Sequence, residues 1–186
     1  SRFAAQKEIV KSFRSDRKDR KTLVVRKVAK TLKDSVYSEL RSIIYSWKLD
    51  DCFDILKSPL QITNKLTGVT FLFIGLDDVE KVKSIAGVDR IWIEEATELT
   101  KQSELDQLRL RLRGFDKVQI TLSYNPIDEH HWLNTDLHEQ KPPGHFFFHS
   151  TYRDNEQLLA KDPNYSKFIE STKESNPNYY RVYGLG

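Results

Sequence analysis

Apolar residues in this chain follow two spacings, which mark out the elements before any chemistry is considered. The first fourteen residues, SRFAAQKEIVKSFR, place Phe3, Ala4, Ile9, Val10 and Phe13 at roughly helical intervals. KTLVVRKV follows as a short apolar strand between basic residues. KDSVYSELRSIIYSW then puts Val36, Leu40, Ile43, Ile44 and Trp47 on one helical face. Three strand-like runs come next, FDILKS, LQITN and VTFLFIGL. Leu66-Thr67-Gly68 between the last two suits a hairpin turn. DDVEKVKSI predicts a short helix or turn, and RIWIEEA a strand. SELDQLRLRLRG predicts an amphipathic helix stopped by Gly114. KVQITLSYNP predicts a strand broken at Pro126, EHHWLNTDLHE a helix and GHFFFHSTY a buried strand. Short helices fill the remainder.

Strands that alternate with helices imply an α/β domain with a largely parallel sheet, and the middle hairpin adds antiparallel strands at one edge. The chain has no internal repeat and no low-complexity segment.

Composition narrows the classes. Of 186 residues, 38% are hydrophobic and 31% charged, with a net charge of +3. The apolar residues come in periodic blocks, which argues against disorder. So even a charge balance does not by itself imply nucleic-acid or membrane binding. Basic residues do concentrate between Arg14 and Lys33, interrupted by Asp16 and Asp19. The one cysteine, Cys52, has no partner for an internal disulfide, so a reducing, intracellular setting is expected. No apolar run approaches the roughly 20 residues of a membrane span, and no signal peptide is visible. The chain starts at Ser1 and lacks methionine, which reads as a fragment whose true N-terminus lies upstream.

Candidate chemistry begins where Ile91-Trp92-Ile93 ends in two adjacent carboxylates, Glu94 and Glu95. Ligands gather at the carboxyl ends of buried parallel strands, and consecutive strand residues point to opposite faces. One carboxylate can then support a hydrated Mg²⁺ while the other reaches an attacking water, the two tasks that phosphoryl transfer requires. The plainer alternative is a helix start, where the macrodipole favours glutamate. The next strand, ITLSYNP, also ends in small polar residues. Ser123 and Asn125 there are placed to sense a γ-phosphate, although Asn-Pro also starts ordinary turns.

RIWIEEATEL followed by ITLSYNP resembles the ATPase domain of bacteriophage terminase large subunits, the motors that package DNA into procapsids. TLVVRKVAKTLKDSV and FLFIGLDDVEKVKSI are similar to further segments of that family. NPNYYRVYGLG looks like its passage into a nuclease domain. The resemblance covers nearly the whole chain. It implies a P-loop NTPase with a RecA-like (ASCE) mostly parallel central sheet flanked by helices. Residues 1–174 would form the ATPase domain, and 175–186 the start of a connection to a C-terminal nuclease domain absent from the chain.

By position, Glu94 would be the Mg²⁺-associated carboxylate and Glu95 the catalytic glutamate that activates water. Ser123, Tyr124 and Asn125 would form the coupling motif. The first carboxylate is more usually Asp, so direct or water-mediated contact of Glu94 with the metal stays open. No G-x-x-x-x-G-K-[ST] occurs in the chain. SRFAAQKEIV resembles the helix that follows such a loop, so Ser1 would be its final hydroxyl residue and a Mg²⁺ ligand. A cloning remnant or an N-cap is the plainer reading of Ser1. Arg26, at a strand end, would contact the nucleotide. Candidates for a transition-state cation are Lys81, Lys83 and Arg90 before the carboxylate strand, and Arg109, Arg111 and Arg113 after it. His130 and His131 read as a helix start rather than a metal site, and Tyr179, Tyr180 and Tyr183 as packing.

The resemblance further implies ATP and Mg²⁺ as ligands. The implied partners are double-stranded DNA, a terminase small subunit and a portal protein, with no membrane. A ring on the portal during packaging and a monomer in isolation are expected, in the host cytoplasm and absent from the mature virion. Another P-loop DNA motor and a non-hydrolysing assembly module are the competing readings.

Overall fold

The computed structural model describes residues 2–78 and 85–186. Ser1 and most of the DDVEKVKSI segment, with Lys81 and Lys83, lie outside the described residues. The chain divides into two compact units, Ser1–Tyr124 and Asn125–Gly186.

The first unit is built on a six-stranded sheet. Its strands are β1 (Lys21–Arg26), β2 (Phe53–Lys57), β3 (Leu60–Asn64), β4 (Thr70–Gly75), β5 (Val88–Glu94) and β6 (Gln119–Ser123), in the order β2-β3-β4-β1-β5-β6. β1 pairs in parallel with β4 on one side and β5 on the other, and β5 pairs in parallel with β6. β2, β3 and β4 pair antiparallel. The expected parallel sheet with an antiparallel edge is therefore present. The turn after β3 uses Gly68 at φ 72°, and its ends are tied by the Asn64 and Gly68 amides, each 2.8 Å from its acceptor.

β5 is buried along its whole length, as a strand covered on both faces should be. Trp92, Ile91 and Ile93 are almost fully buried, and an aliphatic side chain of this size contributes about 1.5–3 kcal/mol on burial. One layer of the core joins Val24 and Trp92 of the sheet to two helices, α1 (Arg2–Ser12) and α2 (Ser38–Ser46). A π-helical turn, Lys33–Tyr37, leads into α2.

Helix α1 forms as expected but faces differently. Its buried residues are Ala4, Ala5, Glu8, Ile9 and Ser12, whereas Phe3 and Val10 are exposed. Ala4 and Ile9 of the expected stripe are buried and Phe13 packs against the core, whereas the buried Glu8, being charged, left no mark in the apolar pattern. Val36 in the π-helical turn and Leu40, Ile43 and Ile44 on α2 are buried as expected, but Trp47 lies past the helix end and is exposed. Helix α3 (Gln102–Arg109) is shorter than expected. It ends five positions before Gly114, so Arg111 and Arg113 are not on it.

The second unit is helical. It holds a π-helical segment (Leu133–Glu139), α4 (Glu156–Lys161) and α5 (Pro163–Ser175), and ends in short turns. Asp162 accepts from the Asn164 and Tyr165 amides at 3.1 Å, with Pro163 opening α5, an N-terminal arrangement that prolines favour. Tyr180 is buried, and a Cβ placed on Gly184 would sit 2.8 Å from its ring. Tyr179 stacks on Tyr183 with ring centroids 4.4 Å apart, consistent with the packing role expected for these tyrosines. The segment Phe146-Phe147-Phe148 is a correction. It has no strand structure and all three rings are exposed, Phe146 almost completely.

Candidate functional site

The parallel strands β1, β4, β5 and β6 all end at one edge of the sheet, at Arg26, Gly75, Glu94 and Ser123. β1 stands where the strand order changes direction, the place at which open α/β sheets form ligand crevices. Backbones approach closely here. A Cβ on Gly75 would lie 2.4 Å from the Ala29 amide nitrogen, and that amide donates to Asp77 at 3.1 Å.

The structure joins the two strand ends that the sequence singled out. Glu94 and Ser123 are register partners on β5 and β6. The Ser123 hydroxyl donates to Glu94 Oε2 and accepts from Trp92 Nε1 at 2.8 Å. A buried indole N–H, a serine hydroxyl and a carboxylate thus form a relay of three groups. Glu94 is only 8% exposed, so this hydrogen bond replaces water that the carboxylate has lost.

Glu95 leaves the strand in a left-handed conformation, φ 54° and ψ 52°. That conformation is costly for a residue with a Cβ. It opens a 3₁₀ turn, Ala96–Glu98. Both sequence readings of EEATEL are therefore partly realised, as a strand exit and as the start of a helical turn. Glu95 is half-buried, and no side-chain hydrogen bond from it occurs among the described residues. Tyr124 follows Ser123, half-buried, and burial pushes its hydroxyl above the ordinary tyrosine range. Asn125 is exposed, and the division between the two units falls between Tyr124 and Asn125, inside the motif.

Arg26 is at this edge, but its guanidinium is engaged. Its Nη2 donates to Glu98 Oε1 at 2.6 Å, and its Nε is buried without an acceptor. The Lys27 amide faces Glu98 Oε2 at 3.4 Å, and Lys27 Nζ pairs with Glu104 at 3.1 Å. Burial would raise the Glu104 carboxyl, but the hydrogen bonds from Lys27, Lys101 and Thr100 hold it below the usual range. Glu98 was not singled out by sequence reasoning, because its partner is 72 positions away.

The other basic candidates separate clearly. Arg90 is buried and forms two hydrogen bonds to Glu8, at 2.5 and 2.6 Å. It is a structural cation and not a mobile one, a correction to its candidacy. Arg109 is exposed and pairs with Asp106 one turn away at 3.0 Å. Arg113 Nε donates to the Leu110 carbonyl at 2.5 Å. In the basic stretch, Arg17 is buried against Asp89, Arg14 pairs with Asp16 at 2.8 Å, and Arg20 lies 3.8 Å over the Phe115 ring. Part of that stretch is therefore committed to intramolecular partners.

Mg²⁺ ordinarily takes one or two carboxylates together with water and substrate phosphates, not an all-protein cage. No group of three or more His, Cys, Asp or Glu side chains that could hold a metal alone occurs among the described residues. Glu94, a single carboxylate at the strand exit with a hydroxyl beside it, fits that donor pattern.

The strand order and the polar strand ends are those of a RecA-like α/β fold. The chain belongs to the phage terminase large subunit family, whose model matches residues 1–186. It is 32% identical over 175 residues to the terminase large subunit of Bacillus phage SPP1. It is 28% identical over 183 residues to the PBSX phage terminase large subunit of Bacillus subtilis strain 168. In each case 88% of this chain is matched but only 41% of the relative, so the chain spans about two fifths of their length. Among solved structures, it is similar to the ADP complex of a large terminase from a thermophilic bacteriophage, with TM-score 0.69, 16% identity, and 89% and 40% of the two chains covered. The Thermus phage P74-26 large terminase ATPase domain is also similar, with TM-score 0.66, 9% identity, and 98% and 81% covered. These structural likenesses establish the fold.

Proposed function

We propose that this chain is the ATPase module of a viral DNA-packaging motor, hydrolysing ATP to drive double-stranded DNA into procapsids. The observation that carries the reading is the hydrogen bond from Ser123 to Glu94, which ties the end of β6 to the end of β5 beside Glu95. In this reading ATP lies along the carboxyl edge of the sheet. Glu95, a half-buried carboxylate with no side-chain hydrogen bond among the described residues, accepts a proton from the attacking water. Glu94 would hold the Mg²⁺, and by family resemblance the Ser1 hydroxyl would be a second ligand. When bound, the ion would neutralise charge on the β- and γ-phosphates. Arg26 contributes positive charge at the same edge and contacts the nucleotide while shared with Glu98.

Ser123, Tyr124 and Asn125 carry γ-phosphate loss onward. Ser123 is bonded to Glu94, and the chain enters the second unit at Asn125. The family supports double-stranded DNA, a terminase small subunit and a portal protein as partners, in a ring on the portal within the host cytoplasm. No described helix is long and apolar enough to cross a membrane.

The test is Glu95→Gln in the full-length protein. Turnover should fall by about three orders of magnitude or more, within the range that single catalytic groups supply, while labelled ATP still binds. Normal hydrolysis by this variant would overturn the assignment.

A further inference from the structure

The turn after β5 is held more firmly than its length requires. Its backbone closes through the Glu98 amide to the Glu95 carbonyl at 2.8 Å and the Leu99 amide to the Ala96 carbonyl at 3.1 Å. Ala96 and Leu99 are fully buried anchors on either side of Glu98. The Glu98 side chain then spans to the end of β1, taking Arg26 Nη2 on one oxygen and facing the Lys27 amide with the other. Glu95 lies at the head of this turn in its left-handed conformation. A non-glycine residue persists there only where its surroundings over-determine it.

We infer that Glu98 is a positioning residue for Glu95, braced by Arg26. The inference rests on the reading of Glu95 as the base. Arg26 and Glu98 cross-link the two strand ends that flank the expected nucleotide, and the turn cannot unwind without breaking an ion pair of 2.6 Å. The Arg26 side chain is 14% exposed and that of Glu98 36%, so the pair is shielded enough for its geometry to matter yet close to the ligand edge. Glu98 touches no reacting atom in this arrangement. It fixes the backbone from which the Glu95 carboxylate is aimed, and small misplacements of a catalytic group are expensive in rate.

A competing role for the same pair would be that Glu98 withholds Arg26 from the nucleotide. The two roles move different quantities. If Glu98 positions Glu95, Glu98→Gln in the full-length protein lowers kcat by about tenfold to a hundredfold, with KM and labelled-ATP affinity within about twofold of the parent. Because Glu98 acts through Glu95, adding Glu98→Gln to Glu95→Gln lowers the residual rate no further. Tighter ATP binding by Glu98→Gln with kcat unchanged or raised would overturn the inference, as would full additivity in the double variant. Loss of turnover in Glu95→Gln with none in Glu98→Gln sinks only the positioning role. Retained turnover in Glu95→Gln sinks the base assignment itself.

Discussion

At the scale of single residues, Ser123 serves two side-chain partners. It accepts from Trp92, which is fully buried, and donates to Glu94. Ser123→Ala leaves the indole N–H without an acceptor in the core, a loss of about 1–3 kcal/mol. It also removes the hydroxyl that is bonded to Glu94. The expected outcome is a lower urea midpoint together with a fall in kcat of roughly tenfold or more. A variant with unchanged midpoint and rate would show that the relay is incidental. The sequence made Ser123 and Glu94 visible separately, because each ends an apolar run. Their bond was not legible, since register between β5 and β6 is set by pairing across 29 positions. Glu98 was less visible still. Nothing in EEATEL distinguishes a glutamate that braces a neighbouring strand from one that is solvated.

At the scale of elements, the amino end of β5 carries charge where a buried strand is ordinarily apolar. Asp89 takes Arg17 through two hydrogen bonds of 2.6 and 2.7 Å, and Arg90 gives two to Glu8 on α1. All four residues are buried. These pairs fix β5 lengthwise and rotate α1 so that Glu8 faces the sheet, which is why Phe3 and Val10 face outward. Sequence reading found both elements from their apolar spacing but treated Arg90 as a free cation, because pairing partners 72 and 82 positions apart leave no local trace. The Phe146–Phe148 run failed for a related reason. Aromatic composition favours a strand, but a strand needs a neighbour for its backbone, and none exists for this run among the described residues. For the α1 pair, Glu8→Gln should cost about 3–5 kcal/mol, because it leaves Arg90 charged and uncompensated in the interior. Replacing both partners, Glu8→Leu with Arg90→Met, should recover most of that loss in denaturant unfolding. Equal destabilisation by the single and double variants would mean that the pair carries no coupling.

At the scale of the whole molecule, both units owe stability to carboxylates held in the charged form. In the first, Arg14 beside Asp16 holds that carboxyl down to about 2, and Glu104 is also lowered. In the second, Glu170 is lowered by hydrogen bonds from Tyr152 and Arg153, and Asp154 by the Thr151 amide and hydroxyl. Each folded-state pKa lies below its unfolded value, so between the two the unfolded chain binds more protons. Stability is then fully present above roughly pH 4 to 5 and is lost as pH falls through the folded values. Lys7 works at the other end of the scale. Burial lowers its pKa, against the pull of Glu8, while its Nζ donates to Thr121 at 3.0 Å. Between its folded value and the unfolded value near 10.5 the unfolded chain again holds the extra proton, so this group adds stability as pH rises through that window. Thermal unfolding from pH 3 to 10 should therefore show a shallow acid limb, since these carboxylates, most of them exposed, are partly screened by solvent. Glu170→Gln should flatten that limb for the second unit and leave unchanged any transition that belongs to the first. Lys7→Met should instead remove the gain on the alkaline side. An acid limb identical in Glu170→Gln and the parent would mean that the Tyr152 and Arg153 bonds, exposed as they are, are fully screened by solvent.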